Sequence, residues 1–201
     1  MSKELIPETQ KFELMQREAK VFLESGFFRD VQNHAQAIVK VMAGKELGIG
    51  PFQAMSGLNV IEGKIVMNAG LISTLIANSP YHRYEIKEIN EKTCRLEFYK
   101  KDDQGNEKLK GESSFTIEEA IRAGLANKNN WKNFPSDMLF ARAITRGARR
   151  FTPEIFAGPV YVPEELGYNM NEDGLILDED EDEEDQVDPL NREDESDCQW
   201  K

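Results

Sequence analysis

Leu58-Asn59-Val60-Ile61-Glu62-Gly63-Lys64-Ile65-Val66-Met67 places two short β-branched runs on either side of a compact Glu62-Gly63-Lys64 turn. So tight a turn between apolar runs is the local signature of an antiparallel hairpin. A helix is predicted immediately downstream, where Asn68 is placed to cap it, Leu71, Ile72, Leu75 and Ile76 share one face, and Ser79-Pro80 stop it. Upstream, a helix from about Gln32 to Glu46 carries an apolar stripe of Ile38, Val41, Met42 and Leu47, and Gly48, Gly50 and Pro51 end it. The first 30 residues read as an irregular helical segment, with Phe12, Met15, Ala19, Phe22 and Leu23 on one face and a stop at Ser25-Gly26.

Beyond Pro80, Tyr84 to Ile89 and Thr93 to Lys100 alternate apolar and polar residues as half-buried strands do, and Glu112 to Thr116 follows the Asp102-Asp103-Gln104-Gly105 turn. These make a three-stranded antiparallel meander. Thr116 and Glu119 form a capping box for a short helix ending at Gly124, and a polar loop, Asn127 to Phe134, leads to a helix from Pro135 to Phe151. Helix, β-hairpin, helix, meander and a basic C-terminal helix make an α+β chain rather than alternating βα units. The expected organisation is an N-terminal helical segment at 1–30, an α+β core at 31–168 and an acidic tail at 169–201.

That tail dominates the charge. The 201 residues carry a net −12, but residues 171–201 hold 15 acids against Arg192 and Lys201, a net −13, which leaves the first 170 residues at +1. Asp178 to Asp185 is acidic without interruption, and with little to bury the segment is expected to be disordered. No apolar run approaches the ~18 residues of a membrane span. The start of the chain, with Lys3, Glu4 and Glu8, lacks the apolar core of a signal peptide, so a cytoplasmic protein without membrane partners is expected.

Several chemistries lack their residues. Cys94 and Cys198 are the only cysteines and His34 and His82 the only histidines, too few for paired CxxC or HExxH zinc sites. Gly48-Ile49-Gly50-Pro51-Phe52-Gln53 has Gln where a dinucleotide loop needs its third glycine, follows a helix instead of a strand, and loses a phosphate-binding N–H at Pro51. Gly44-Lys45-Glu46 and Gly63-Lys64-Ile65 lack the Ser or Thr of a P-loop. Glu85, Glu88, Glu91 and Glu97 scatter along strands, which disfavours a carboxylate nuclease.

Residues 127–153 point to nucleic acid. Lys128, Lys132, Arg142, Arg146, Arg149 and Arg150 face a single acid, Asp137, for a net +5. Arg142, Arg146, Arg149 and Arg150 recur at helical spacing, while Leu139, Phe140, Ile144, Ala148 and Phe151 are left for the core. Guanidinium groups donate paired, planar hydrogen bonds to phosphate, and several together give salt-sensitive affinity without sequence preference. The alternative is a solvated face, or pairing with strand acids such as Glu85, Glu88 or Glu97. Trp131, between Lys128 and Lys132, is either a stacking partner for an unpaired base or a core anchor. Lys64 on the hairpin, and Arg83 beside Tyr81 and His82, form further cationic or aromatic candidates. Arginine with aromatic residues favours single strands, whose base faces are open.

A wider pattern then emerges. Gly44-Lys45-Glu46-Leu47-Gly48-Ile49 with Pro51 and Gln53-Ala54-Met55, Val60-Ile61-Glu62-Gly63-Lys64 and Asn68-Ala69-Gly70-Leu71 stand in order. Ala123-Gly124-Leu125, Asn130-Trp131-Lys132, Phe134-Pro135, Met138-Leu139, Ala141-Arg142-Ala143-Ile144, Arg149, Pro153-Glu154-Ile155, Gly158 and Tyr161 follow. Over about residues 34–166 the chain resembles the phage RecT group of single-strand annealing recombinases. The resemblance implies ATP-independent annealing of single-stranded DNA into duplex, in the cytoplasm of a bacterial host cell. It also implies a homo-oligomeric ring or filament, a 5′-to-3′ exonuclease and a host single-strand-binding protein as partners, and no cofactor, with Mg²⁺ modulating if present. By position, Lys64, Arg142, Arg146 and Arg149 would contact the DNA backbone and Trp131 would lie near the bases. Two departures stand out: a short N-terminal portion, and an acidic tail in place of a recognisable C-terminal partner-binding domain. The competing expectation is an interaction protein whose tail imitates DNA or engages a host factor.

Overall fold

The fold is that of a computed structural model, which describes residues 8–61, 64–156, 162, 169–170 and 176–177. Helices α1 (Glu8–Glu24), α2 (His34–Glu46) and α3 (Pro51–Gly57) precede a hairpin of β1 (Leu58–Ile61) and β2 (Lys64–Met67). Helix α4 (Ala69–Asn78) leads into the meander β3 (His82–Ile89), β4 (Thr93–Lys101) and β5 (Glu107–Thr116), after which α5 (Ile117–Arg122), α6 (Asn129–Asn133) and α7 (Pro135–Phe151) complete an α+β architecture. A 3₁₀ turn, Pro153–Ile155, follows, and β6 (Asn169–Met170) pairs antiparallel with β7 (Ile176–Leu177). The expected core–tail boundary falls at β6; of the tail, residues 171–175 and 178–201 lie outside the described residues, as do the hairpin residues 62–63.

The local signals behave as their chemistry requires. Asn68 Oδ1 accepts from Leu71 N–H at 2.7 Å, and the Thr116–Glu119 capping box closes from both sides, Glu119 N–H to Thr116 Oγ1 at 3.3 Å and Thr116 N–H to Glu119 Oε2 at 3.1 Å. Gly48, at φ +70°, ends α2 in the left-handed region. Pro51 does more than stop a helix. It stands in the first turn of α3, where its missing N–H is no loss, so a further helix that was not expected follows α2.

Two cores form. The larger joins the sheet's inner face (Cys94, Leu96, Phe98, Phe115) to α4 and α7 through Leu71, Ile72, Ile76, Leu139, Ala143, Ile144 and Ala148. Each large apolar side chain buried there contributes about 1.5–3 kcal/mol. The smaller comprises Met15, Ala19, Phe28, Val31, Ala37, Val41 and Met55, so the expected boundary at residue 30 runs through a packed cluster. Phe12, assigned by periodicity to the packed face, is 45% exposed. On α2 the stripe also departs from expectation: Met42 is exposed, and Ala37, Lys40, Val41 and Gly44 are buried. The α2–α3 crossing selects small residues, since a Cβ on Gly44 would collide with that of Ala54.

Helix α7 lies directly on the sheet. Ser113 Oγ donates to Ala143 O at 2.8 Å, and a Cβ on Gly147 would collide with the Phe98 ring. This close approach fixes the rotation of α7, and with it the direction in which its arginines project. At the helix's C-terminal end, Glu154 meets Lys100, and its Oε1 lies 2.9 Å from Nε2 of the buried His82. The Lys100 ammonium, aided by a backbone N–H and His82, holds the Glu154 carboxyl down at about 2. A depressed folded pKa stabilises the fold above the unfolded value near 4.5, and that contribution disappears as pH falls toward 2. Glu154→Gln is therefore expected to lower Tm by about 1–3 °C at neutral pH, given a partly exposed pair. Thermal melts between pH 6 and pH 2 should show that gap closing with acid; a constant gap would exclude the linkage.

Candidate nucleic-acid interface

One face of α7 lines an open cleft of about 390 Å³ whose walls are Phe115, Glu119, Arg122, Ala123, Arg142, Arg146 and Arg149. Four guanidinium groups and one carboxylate surround it among the described residues. Phe115 faces α7 by the alternation of β5, which also turns Ser113 inward. Arg122 arrives in the last turn of the helix that the Thr116–Glu119 box starts. The two elements thus meet at the β5–α5 junction and place Arg122 opposite the α7 arginines.

The arginines differ in environment. Arg146 is tethered at both terminal nitrogens. Nη1 donates to Ser114 O at 2.7 Å, Nη2 donates to Glu119 Oε1 at 3.0 Å, and the guanidinium carbon sits 4.7 Å from the centre of the Phe115 ring. Its partner Glu119 is in turn held by the Thr116 N–H. Arg142 also lies over Phe115, at 5.6 Å, and is half-buried, whereas Arg149 is exposed at the cleft wall. Arg150 is exposed but does not line the cleft, because successive helical residues diverge by about 100°.

Three sequence-derived candidates take other roles. Trp131 is 3% exposed, with its ring 6.1 Å from that of Phe115, so it presents no face to a base and instead braces the cleft floor. The polar loop that was expected to carry it contains the short helix α6, which turns the indole inward between Lys128 and the exposed Lys132. Arg83 is engaged by acids of its own sheet. Its Nε donates to both Glu107 oxygens at 2.9 Å, its Nη1 reaches Glu85, and it stacks 4.1 Å from the Tyr99 ring. These carboxylates raise the Arg83 pKa further, while Lys87 and then Arg83 hold the Glu85 carboxyl at about 2. Charges of both signs thus interleave on this outer sheet face. Lys64 is exposed at the start of β2, on a separate sheet, and does not line the cleft.

The strand acids proposed as alternative partners therefore hold Arg83, Lys87 and Arg95 and leave the α7 arginines to other groups. Among the described residues, Glu119 of α5 reaches α7 and pairs with Arg146. Arg122, Phe115 and Glu119 are the residues that sequence reasoning did not assign to the site. The signal available for them was the capping box itself, which makes the β5–α5 junction a sharp corner and lets a residue one turn later fold back over the strand end.

A second concavity, about 460 Å³, lies between the α2–α3 corner and the end of α4 and includes Ser79, His82 and Glu154. Ser79 Oγ lies 3.2 Å from His82 Nδ1, and His82 Nε2 lies 2.9 Å from Glu154 Oε1, so the three side chains are linked; Ser79 Oγ also accepts from the backbone N–H groups of Tyr81 and His82 and closes a turn. No cluster of three or more His, Cys, Asp or Glu side chains suited to a metal ion occurs among the described residues, and none of the described helices is long and apolar enough to cross a membrane. Compared with models of known protein families and with curated proteins, the chain matches none.

Proposed function

We propose that this protein binds single-stranded DNA and anneals complementary strands without nucleotide hydrolysis. The observation that carries the reading is the α7 cleft, in which Arg122, Arg142, Arg146 and Arg149 surround an aromatic floor with one acid among them. Cations at this density suit a polyphosphate backbone, and an open cleft suits a strand that must stay accessible to its complement. The motif order that resembles the RecT group supports the same function. On this reading the protein acts as a homo-oligomer, takes strands produced by a 5′-to-3′ exonuclease, meets host single-strand-binding protein, and performs no bond chemistry. Side chains neutralise phosphates, the Watson–Crick edges stay open, and pairing supplies the driving force.

Annealing of complementary oligonucleotides without ATP, followed by fluorescence quenching across a salt series, tests this directly. Expected are faster pairing at ~50 mM salt and a log-log slope of binding near −0.7 per phosphate contacted. Unaccelerated pairing together with salt-insensitive binding would refute it.

A further inference from the structure

We infer that Arg146 is a stacking platform for an unpaired base rather than a ligand of the phosphate backbone, an inference that rests on the single-strand reading of the α7 cleft. A guanidinium group binds phosphate through the N–H groups in its plane. In Arg146 both terminal nitrogens already donate within that plane, to Ser114 O and to Glu119 Oε1. Its guanidinium carbon lies 4.7 Å from the Phe115 ring centre, and the side chain remains 27% exposed and lines the cleft. Two of its five N–H groups are thus committed and the group is held against Phe115, so it stands at the cleft wall as a fixed plane.

Charge leads to the same assignment. Glu119 sits 3.0 Å from Arg146 and is equally exposed, so the pair adds little net charge to the cleft. Arg122, Arg142 and Arg149 line the same cleft and supply its other cationic groups. Delocalised guanidinium planes stack on nucleobases, and such stacks form only with bases outside a duplex. Phe115, against which Arg146 rests, is in turn packed against Trp131. A stacked base keeps its Watson–Crick edge open, whereas a base paired and stacked in the annealed product withdraws from the platform. Arg146 thereby favours substrate strands over product.

The test is a comparison of the full-length protein and Arg146→Lys by fluorescence anisotropy. The ligands are labelled oligo-dT, an abasic strand of equal length, and duplex of that length, each over a salt series. Lysine keeps the charge and can still bind Glu119, but it has no plane. Wild type should bind oligo-dT more tightly than the abasic strand. Arg146→Lys should lose about tenfold on oligo-dT, little on the abasic strand, and none of the salt slope. Arg122→Gln should weaken both strands alike and reduce the slope by about 0.7. Equal wild-type affinity for oligo-dT and the abasic strand would overturn the platform, even if Arg146→Lys failed to fold. A folded Arg146→Lys that binds oligo-dT like wild type, or loses both strands with a shallower slope, would do the same. Wild type that binds no strand at all would instead refute the single-strand reading.

Discussion

Alanine at Arg142, Arg146 and Arg149 together is expected to weaken binding of single strands by about 100-fold or more at ~50 mM salt, since hydrogen bonds to charged groups contribute about 1.5–3 kcal/mol each. All three side chains line the α7 cleft, and no other element among those lining it contributes more than one arginine. The salt slope should fall by only about 1.4, two contacts at about 0.7 each, because Glu119 already balances Arg146. A fall near 2.1 would count three phosphate contacts instead. Arg146 also ties α7 to β5 through Ser114 O, so the triple variant is expected to melt somewhat lower. Circular dichroism and Tm establish that it is folded, and Arg142→Gln with Arg149→Gln, which leaves that tie intact, should retain most of the slope change. Binding of the folded triple variant at wild-type strength would remove the α7 cleft from the interface.

The largest effect on stability is expected at Lys40. This side chain is 1% exposed inside the smaller core, with Nζ 2.6 Å from Asp30 Oδ2. Burial lowers its pKa against the opposing pull of Asp30. Removing one partner of such a pair leaves the other charge uncompensated, so Lys40→Ala should cost about 3 kcal/mol, the low end of the usual range because Asp30 keeps 15% exposure. For a chain of this size that is a fall in Tm of about 6–12 °C. Lys40→Met with Asp30→Asn should recover most of it, since the replacement pair fills the volume without charge. Denaturant melts of the singles and the double complete the cycle. A Lys40→Ala protein as stable as wild type would mean that water reaches the pair.

Features set by neighbours a few residues apart were readable before any fold was known. The Asn68 cap, the Thr116–Glu119 box, the hairpin, the meander and the Pro135 start of α7 all rest on contacts within about four residues or across one turn, and all are present. Pro51 was ambiguous because proline both stops one helix and starts the next. Lys40 was invisible as a core residue because charge predicts exposure, and Asp30, its partner, lies on the linker before α2.

The amino-acid sequence alone determined the α+β order, the helix that bears the arginines and the spacing that puts Arg142, Arg146 and Arg149 on one side of it, while Arg150, expected on the same face, turns away from the cleft. Tertiary structure decided what each side chain does there. Trp131 went into the core because α6 turned it toward Phe115. Arg83 was taken by Glu107, 24 residues away across the sheet, and Arg146 by Glu119, 27 residues away across the cleft. Helical spacing assigns a face, but whether a cation on that face meets phosphate, a base or an internal acid depends on which distant strand or helix is packed beside it. Here the small residues of α7, Gly147 above all, set that placement by letting the helix settle onto Phe98 and Ser113.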